Sequence, residues 1–343
     1  MTESPLPVIG VERPTLKTIA AATGLAIATV SRALKDAPDI GEETKRRVRE
    51  TALRLGYRQN RAAVRLRTGK TNVIALVLST EADVMNHTSK LIYSIAAALR
   101  GTAYHLVVMP FFPDQDPMEP VRYIVETESA DGIILNQTKP DDPRIRYMTD
   151  HHFPFATHGR SDMALDHPYF DFDNEAFGTL AVQSLPFQRR HVYMIAPPRN
   201  HMYGRHMIMG ASQAAAARGM RFELAEPVTS DTLADEIEAV VTKRFQQDPM
   251  PDAIIAGSTN AAMAAAAGVE FGGKKLGIDF DIVSKEAIRF LHRFRKEMIV
   301  VQEDVGRAGS FLARALQDAI EGRAPKEGQG LEVPRLSDFR TGV

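Results

Sequence analysis

The sequence predicts an α/β protein in which a small helical N-terminal module precedes a two-lobed core of Rossmann-like parallel sheets. Three observations support this fold class. The first 70 residues contain three short helical patterns, with apolar residues every three or four positions. From residue 72 onward, continuous apolar runs alternate with helical segments, as in repeated βαβ units. Basic residues are concentrated at one end, because residues 13–70 carry a net charge of +9 in a chain whose total is −1.

The first helix begins after Thr15, which occupies an N-cap position. Gly24 falls where this helix must stop and the chain must turn, a position that favours a positive φ. Leu25 is expected to fill the space between the first two helices. The apolar stripe of the first helix consists of Leu16, Ile19, Ala20 and Thr23.

The second helix starts near Ala26 and turns Val30, Ala33 and Leu34 inward. Its outer face carries Ile27, Ala28, Thr29, Ser31 and Arg32. A third helix over residues 42–55 buries Val48, Ala52 and Leu55. Two short helices joined in this way are typical of a helix-turn-helix, which places its second helix in a DNA major groove. We therefore predict a DNA-binding domain over residues 13–58.

Residues 59–71 form a short basic segment in which Leu66 lies between Arg65 and Arg67. A leucine between cations suits a wedge inserted into a minor-groove base step, and the basic excess suits phosphate neutralisation. The alternatives are a linker with one incidental leucine and a solvated basic face on an ordinary helical bundle.

Residues 15–71 resemble the LacI/GalR (lac repressor) family of bacterial transcription regulators, through the runs ATVSRAL, LGYRQN and RLRTGKT. The resemblance implies that Thr29, Ser31 and Asn60 hold phosphates and that residues 59–71 form a hinge helix with Leu66 as its wedge. It also implies that base edges are faced by Ile27, Ala28 and Arg32. The complete set of expected DNA-binding residues is Thr15, Ile27, Ala28, Thr29, Ser31, Arg32, Asn60, Arg61 and Leu66. One departure is Ala26, where the family usually has serine.

The remainder of the chain predicts two similar halves. The predicted strands cover residues 72–79, 105–109, 132–136, 153–157, 192–196, 252–257, 280–284 and 298–302. The predicted helices cover residues 89–100, 117–128, 142–151, 203–218, 231–247, 260–271 and 305–320. The second half begins near Phe170, with a strand end followed by a helix that starts at Asp173 or Asn174. Ligands in such sheets collect beyond the carboxyl ends of the strands.

The family couples its DNA-binding headpiece to a periplasmic-binding-protein-like core with a ligand cleft between two lobes. On this basis we expect an effector-binding and dimerisation core over residues 72–343. The N-lobe would comprise residues 72–170 and 304–330, and the C-lobe residues 171–303 and 331–343. Polar residues after the predicted strand ends give the candidate effector site: Ser79, Asn136, His158, Arg160, Arg205, Asn260, Glu286 and Glu303.

Three departures from the family pattern leave the effector class open. Lys285 and Glu286 stand where the family has an aromatic residue and an aspartate, and Met207 stands where the family has its effector arginine. The pair that usually reads Asn-Asp is Thr259-Asn260. The added cation admits a sugar acid or sugar phosphate, whereas a neutral sugar is equally compatible.

Several classes of function lack support in the sequence. The absence of cysteine excludes disulfides and thiol catalysis, and there is no Walker A motif and no GxGxxG after a strand. The pairs His151/His152 and His201/His206 have no third ligand at convincing spacing. Residues 1–12 are expected to form a disordered tail and not a signal peptide, and no apolar run is long enough to cross a membrane. We expect no cofactor, no metal and no catalytic residue.

The resulting hypothesis is a cytoplasmic, sequence-specific DNA-binding transcription regulator, most simply a repressor. It would bind operator DNA as a homodimer and respond to a sugar, sugar acid or sugar phosphate between its lobes. The alternatives are a solute-binding protein with the same lobes and an α/β enzyme that acts on sugars or nucleosides.

Overall fold

The computed structural model describes residues 14–57, 65, 68–80, 85–112, 114–323 and 328–341. The chain divides into two compact units between Thr71 and Asn72, the position at which the sequence predicts the start of the core. The predicted tail over residues 1–12 lies outside the described residues.

The N-terminal unit consists of three helices, α1 (Leu16–Thr23), α2 (Ile27–Leu34) and α3 (Glu42–Arg54). The predicted cap of α1 is confirmed, because the Thr15 hydroxyl accepts a hydrogen bond from the Thr18 N–H (3.4 Å). The predicted turn is also confirmed, since Gly24 has a φ of +67°. The fully buried members of the small core are Ile19, Val30, Ala33 and Val48.

The second unit contains two parallel β-sheets. The strands of the first sheet are β1 (Val73–Ser79), β2 (His105–Phe111), β3 (Gly132–Leu135), β4 (Phe155–His158), β5 (Tyr169–Phe172) and β11 (Gln329–Glu332). Those of the second are β6 (His191–Ile195), β7 (Arg221–Leu224), β8 (Ala253–Ala256), β9 (Asp281–Glu286) and β10 (Ile299–Gln302). The first sheet has the strand order β11-β5-β4-β3-β1-β2 and the second has the order β10-β9-β8-β6-β7.

Helices connect and cover the strands. In chain order they are α4 (Met85–Ala98), α5 (Met118–Thr127), α6 (Pro143–Asp150), α7 (Asn174–Ser184), α8 (Met202–Ala217), α9 (Ala234–Phe245), α10 (Thr259–Phe271), the one-turn α11 (Leu291–Phe294) and α12 (Val305–Ile320). The central strands are buried on both faces, so they need the continuous apolar runs that the sequence shows. Every predicted core element is present within a few residues of its predicted bounds.

The predicted lobe boundary requires correction. A boundary at 170/171 would divide β5, and a boundary at 330/331 would divide β11, but these two strands pair with each other in the first sheet. The first lobe therefore extends through Phe172. The later segment that returns to this lobe extends through Glu332. The sequence analysis also missed β7, β11 and α11.

Close helix contacts in the second lobe depend on glycines. Helices α7 and α8 cross at Gly178 and Gly210. A Cβ atom added to Gly210 would lie 2.0 Å from the Glu175 carbonyl oxygen, and one added to Gly178 would lie 2.3 Å from the Met207 carbonyl oxygen. Backbone therefore packs directly against backbone at this crossing.

None of the described helices is both long enough and apolar enough to traverse a lipid bilayer.

Candidate functional site

The outer face of α2 carries the residues that the sequence predicts for it. Ile27 is 44% exposed, and Ala28 and Arg32 are exposed as well. Thr29 and Ser31 flank this face and are half-buried. The arginine is one helical turn from Ala28, so these two exposed residues lie on the same face of α2.

The N-terminus of α2 has no side-chain cap, because Ala26 stands at the N-cap position. The N–H groups of the first turn of α2 therefore lack the side-chain acceptor that serine would provide. Such N–H groups at the positive end of a helix dipole favour an anion such as a phosphate.

Arg32 forms an ion pair with Asp39 in the unbound protein. Both side chains are about half exposed, at 57% and 45%, so water screens this pair and DNA could displace it at small cost. On α3, Lys45 pairs with Glu42 (2.7 Å) and Asp36 (3.1 Å). Part of the basic excess is therefore used to hold the small bundle together.

Three of the predicted DNA-binding residues, Asn60, Arg61 and Leu66, lie outside the described residues. In the segment predicted as a hinge helix, the Gly69 N–H donates a hydrogen bond to the Arg65 carbonyl (2.8 Å), which is a helical i to i−4 contact. Thr15 is exposed, but its hydroxyl is engaged at the start of α1.

The second unit contains a cavity of about 140 Å³ between its two sheets. A cavity of about 150 Å³ can hold a benzene ring, so this cavity has room for a ring of similar size such as a pyranose. Its lining comes from the carboxyl ends of strands in both lobes, as the topology predicts. The lobes also touch directly, because the Met202 N–H donates to the Thr138 carbonyl (2.9 Å).

Four of the eight predicted effector residues line this cavity: Asn136, His158, Glu286 and Glu303. The other four, Ser79, Arg160, Arg205 and Asn260, lie outside its lining.

The positions of these four side chains account for their absence from the lining. Ser79 is buried at the end of β1. Arg160 contacts the lining residue Asp171, with its Nε 2.9 Å from Asp171 Oδ2, and Arg205 is exposed, with its Nη1 3.5 Å from Asp162 Oδ2. Asn260 falls inside the first turn of α10, whereas the residues before it, Ser258 and Thr259, reach the cavity.

Lys285 and Glu303 form an ion pair in the cavity wall. The Lys285 Nζ lies 2.8 Å from Glu303 Oε2 and 3.1 Å from Asn174 Oδ1, and it also lies 5.2 Å from the ring centroid of Phe172. On the other side, His87 Nε2 lies 3.2 Å from Glu303 Oε1. Burial would raise the pKa of Glu303, but Lys285 and His87 together hold this pKa well below its usual value.

Two buried polar atoms in the lining have no hydrogen-bond partner among the described residues, Oδ1 of Asn136 and Nε2 of His158. Burial, with a further contribution from His87, lowers the pKa of His158 to about 3, so this imidazole is neutral at physiological pH. Unpaired buried polar groups are costly, and a ligand in the cavity could satisfy both.

Carboxylates outnumber cations in the cavity wall. The lining contains Asp171, Asp231, Glu286 and Glu303 against the single ammonium of Lys285. Burial raises the pKa of Asp171 to about 7 despite its 2.9 Å contact with Arg160. The cavity therefore favours a neutral or cationic ligand over an anion.

The remaining acidic groups are held in defined positions. Glu286 accepts hydrogen bonds from the N–H groups of Phe290 and Leu291 (2.9 Å each) at the start of α11. Asp231 accepts from the hydroxyls of Tyr203 (3.2 Å) and Ser230 (2.9 Å).

Several lining residues are not among the predicted effector residues. They include His87, Asp171, Asn174, Tyr203 and Asp231. The sequence does carry a signal for Asp171. It is an acidic residue within a strand, flanked by the two buried aromatic residues Phe170 and Phe172. Asn174 and Asp231 lie at or before helix starts, where their residue types are equally typical of caps. His87 and Tyr203 lie in the first turns of α4 and α8 and carry no such signal.

Comparison with known protein families gives two matches. Residues 15–60 match the model described as bacterial regulatory proteins, lacI family. Residues 71–304 match the model described as periplasmic binding proteins and sugar binding domain of LacI family. Together the two models cover the helical unit and most of the two-lobed unit.

Individual proteins give the same result. The HTH-type transcriptional regulator RafR of Escherichia coli is 31% identical over 265 residues, which cover 76% of this chain and 78% of RafR. A structure of the lac repressor dimer bound to operator and the anti-inducer ONPF superposes with a TM-score of 0.81 at 17% identity, covering 96% of this chain and 100% of that one. A structure of the transcriptional regulator CelR in complex with cellobiose has a TM-score of 0.66 at 22% identity and covers 93% and 97% of the two chains. At these identities the structures show a shared fold.

Proposed function

Because the chain belongs to the LacI family of bacterial regulatory proteins, we propose that this DNA-binding transcription regulator is a repressor controlled by a neutral sugar. The observation that carries the effector class is the ion pair between Lys285 and Glu303. Lys285 is the cation that could attract an acidic effector, and Glu303 already neutralises it. A sugar acid or phosphate would add negative charge to a wall that already has a surplus of carboxylates.

The proposed DNA contacts follow from the exposed face of α2. Arg32 would leave Asp39 and donate hydrogen bonds to a base edge, and Ile27 and Ala28 would contact thymine methyl groups. Thr29 and Ser31, at the border of this face, would bind phosphates. We further propose that Thr15, Asn60 and Arg61 bind the backbone and that Leu66 inserts into the minor groove.

The proposed sugar contacts combine hydrogen-bond acceptors with aromatic rings. Sugar hydroxyls would donate to Oδ1 of Asn136 and to the carboxylate of Asp231. The rings of Phe172 and Tyr203 would pack against the apolar face of a pyranose. The description of the matching family model as a sugar binding domain and the cellobiose in the CelR complex both support this class.

Control would follow from linkage between the two sites. A sugar that binds one arrangement of the lobes more tightly shifts the protein toward that arrangement by the difference in affinity and no more. By reciprocity, operator DNA would change the affinity for the sugar by the same factor.

We propose that the active form is a homodimer, because a dimer reads two half-sites of a palindrome and so gains affinity. The lac repressor of similar fold is described as a dimer. Two groups of exposed apolar side chains suit such a contact. The first lobe presents Tyr93, Val107 and Val108, and the second presents Ile288, Phe290 and Phe294.

The test begins with selection of a duplex from a random library by the full chain. Binding to the selected duplex is then measured by fluorescence anisotropy at increasing salt. We expect a steep loss of affinity with salt, because phosphate contacts release counterions. A solute-binding protein or a sugar enzyme with these lobes would select no duplex. A DNA-binding regulator acts where the chromosome is, so we place this protein in the cytoplasm.

A further inference from the structure

We infer that the cavity also contains a binding site for a divalent transition-metal ion, with His87, His158 and Glu303 as its ligands. One ring nitrogen of each histidine and one carboxylate oxygen of Glu303 all lie within 4.8 Å of one another. Within the described ranges, this is the one place where three or more such groups converge at that distance.

The three ligands come from three different elements. His87 lies in the first turn of α4, His158 ends β4, and Glu303 follows β10. The separation of His87 Nε2 and Glu303 Oε1 is 3.2 Å. Two ligands on a tetrahedral ion with bonds of about 2.0–2.1 Å lie roughly 3.3 Å apart, so this pair already has the spacing that zinc requires.

His158 supplies an independent observation. Its Nε2 is buried and has no hydrogen-bond partner among the described residues. Its ring lies 4.9 Å from that of His87, centroid to centroid, with the planes tilted by 52°. A buried ring nitrogen without a partner is costly, and a metal ion is one of the few ligands that could satisfy it beside a second imidazole.

The ligand set indicates the class of ion. Two imidazoles and one carboxylate suit Zn²⁺, Co²⁺ or Ni²⁺, whereas Mg²⁺ and Ca²⁺ prefer oxygen ligands. Three protein ligands leave a fourth position open to the cavity. If the proposed function is right, an oxygen atom of the sugar would occupy that position, and this last step alone rests on the proposed function.

Lys285 sets a limit on the affinity. Its ammonium holds Oε2 of Glu303 and leaves Oε1 on the side of His87. A positive charge this close repels a divalent ion and competes for the same carboxylate. Removal of the ammonium should therefore strengthen metal binding, whereas removal of any ligand should weaken it.

The test is a titration of the metal-free full chain with Zn²⁺ alone, monitored by calorimetry. Elemental analysis after dialysis then gives the amount of zinc bound per chain. We expect one equivalent of zinc per chain. His87→Gln, His158→Gln and Glu303→Gln should each weaken binding at least about tenfold, since even residues that only support a ligand are worth about 10- to 100-fold. The matched control is His151→Gln at the C-cap of α6, where the histidine is exposed, and it should leave binding unchanged.

Lys285→Met distinguishes loss of a ligand from loss of structure. It should tighten zinc binding at least about tenfold, a gain that misfolding would not produce. Co²⁺ in place of Zn²⁺ should give the intense visible absorption of a tetrahedral site, which His158→Gln should abolish. The inference is overturned if the wild type retains no stoichiometric zinc, or if the three ligand variants bind zinc like the wild type. Neither result would bear on DNA or sugar binding, which are measured without metal.

Discussion

Lys285 at the end of β9 and Glu303 after β10 form a 2.8 Å ion pair inside the cavity, with 14% and 6% of their side chains exposed. The pair joins the second sheet to the segment in which the chain returns to the first lobe. It also neutralises the ammonium of Lys285, the positive charge that could otherwise attract an acidic effector. The pair therefore links the specificity of the cavity to the stability of the core.

Breaking this pair from one side should be costly. Lys285→Met leaves the carboxylate of Glu303 buried without its main counter-charge, so the free energy of unfolding of the metal-free core should fall by about 3 kcal/mol. The double variant Lys285→Met/Glu303→Leu should recover most of that loss. Urea denaturation of the three proteins checks both values. Equal losses in the single and double variants would contradict a buried pair whose members depend on each other.

Arg32 is the α2 residue best suited to a hydrogen-bonded base contact. Arg32→Ala should weaken binding to the selected duplex by about 1–3 kcal/mol and should relax the base preference at one position of each half-site. The measurement is anisotropy with the selected duplex and with its single-base variants. Arg46→Ala on α3, where Glu43 pairs with the arginine, serves as the control and should change affinity little. Equal effects of the two substitutions would argue against a base contact by Arg32.

Gly210 controls the contact between α7 and α8. Gly210→Ala places a methyl group against the Glu175 carbonyl, a backbone atom that cannot rotate away. The helices must then separate, and we expect a loss of about 3 kcal/mol in the free energy of unfolding. Gln213→Ala on an exposed position of α8 should change this free energy by less than about 0.5 kcal/mol. A Gly210→Ala variant as stable as the wild type would contradict this crossing.

His201 makes stability dependent on pH. It precedes α8, is 8% exposed, and stacks on Tyr203 at 5.5 Å between ring centroids. Burial, followed by the charge of Lys139, lowers the pKa of His201 to about 4. The unfolded chain binds a proton below pH 6.5 while the folded chain does not, so the contribution of His201 to stability falls as the pH drops from 6.5 to 4.

The size of this effect is on the order of 3 kcal/mol over that range. His201→Asn should therefore show a shallower decrease of unfolding free energy between pH 6.5 and pH 4 than the wild type. His151→Asn, at an exposed position, should follow the wild type. Parallel curves for His201→Asn and the wild type would show that His201 is not buried in its neutral form.

The parts of the fold with strong local signals are predicted well from the sequence. The predicted helix over residues 305–320 is observed with the same bounds as α12, because Asp304 caps it and an apolar stripe runs along its length. By contrast, β7 was missed, since it lies at the edge of its sheet and none of its side chains is fully buried. The sequence RFEL has no continuous apolar run to mark it.

The cavity is predicted less well, because its composition depends on side-chain direction. Topology alone indicates the right ends of the strands, and Asn136 and Glu303 were found in this way. Arg160 follows a strand end as predicted, but its guanidinium pairs with the lining residue Asp171. Whether Lys285 is free or paired is decided by Glu303, 18 residues further along the chain, and only the folded arrangement brings them together.

Operator affinity of the full chain, measured with and without candidate effectors, decides whether a neutral sugar controls DNA binding. Neutral disaccharides, the matching sugar acids and the sugar phosphates are each added to the complex with the selected duplex. A neutral sugar should weaken DNA binding at least about fivefold, which is the lower range of measured couplings, while the charged analogues should have no effect. A sugar acid or phosphate that shifts DNA affinity while every neutral sugar fails to do so would contradict control by a neutral sugar.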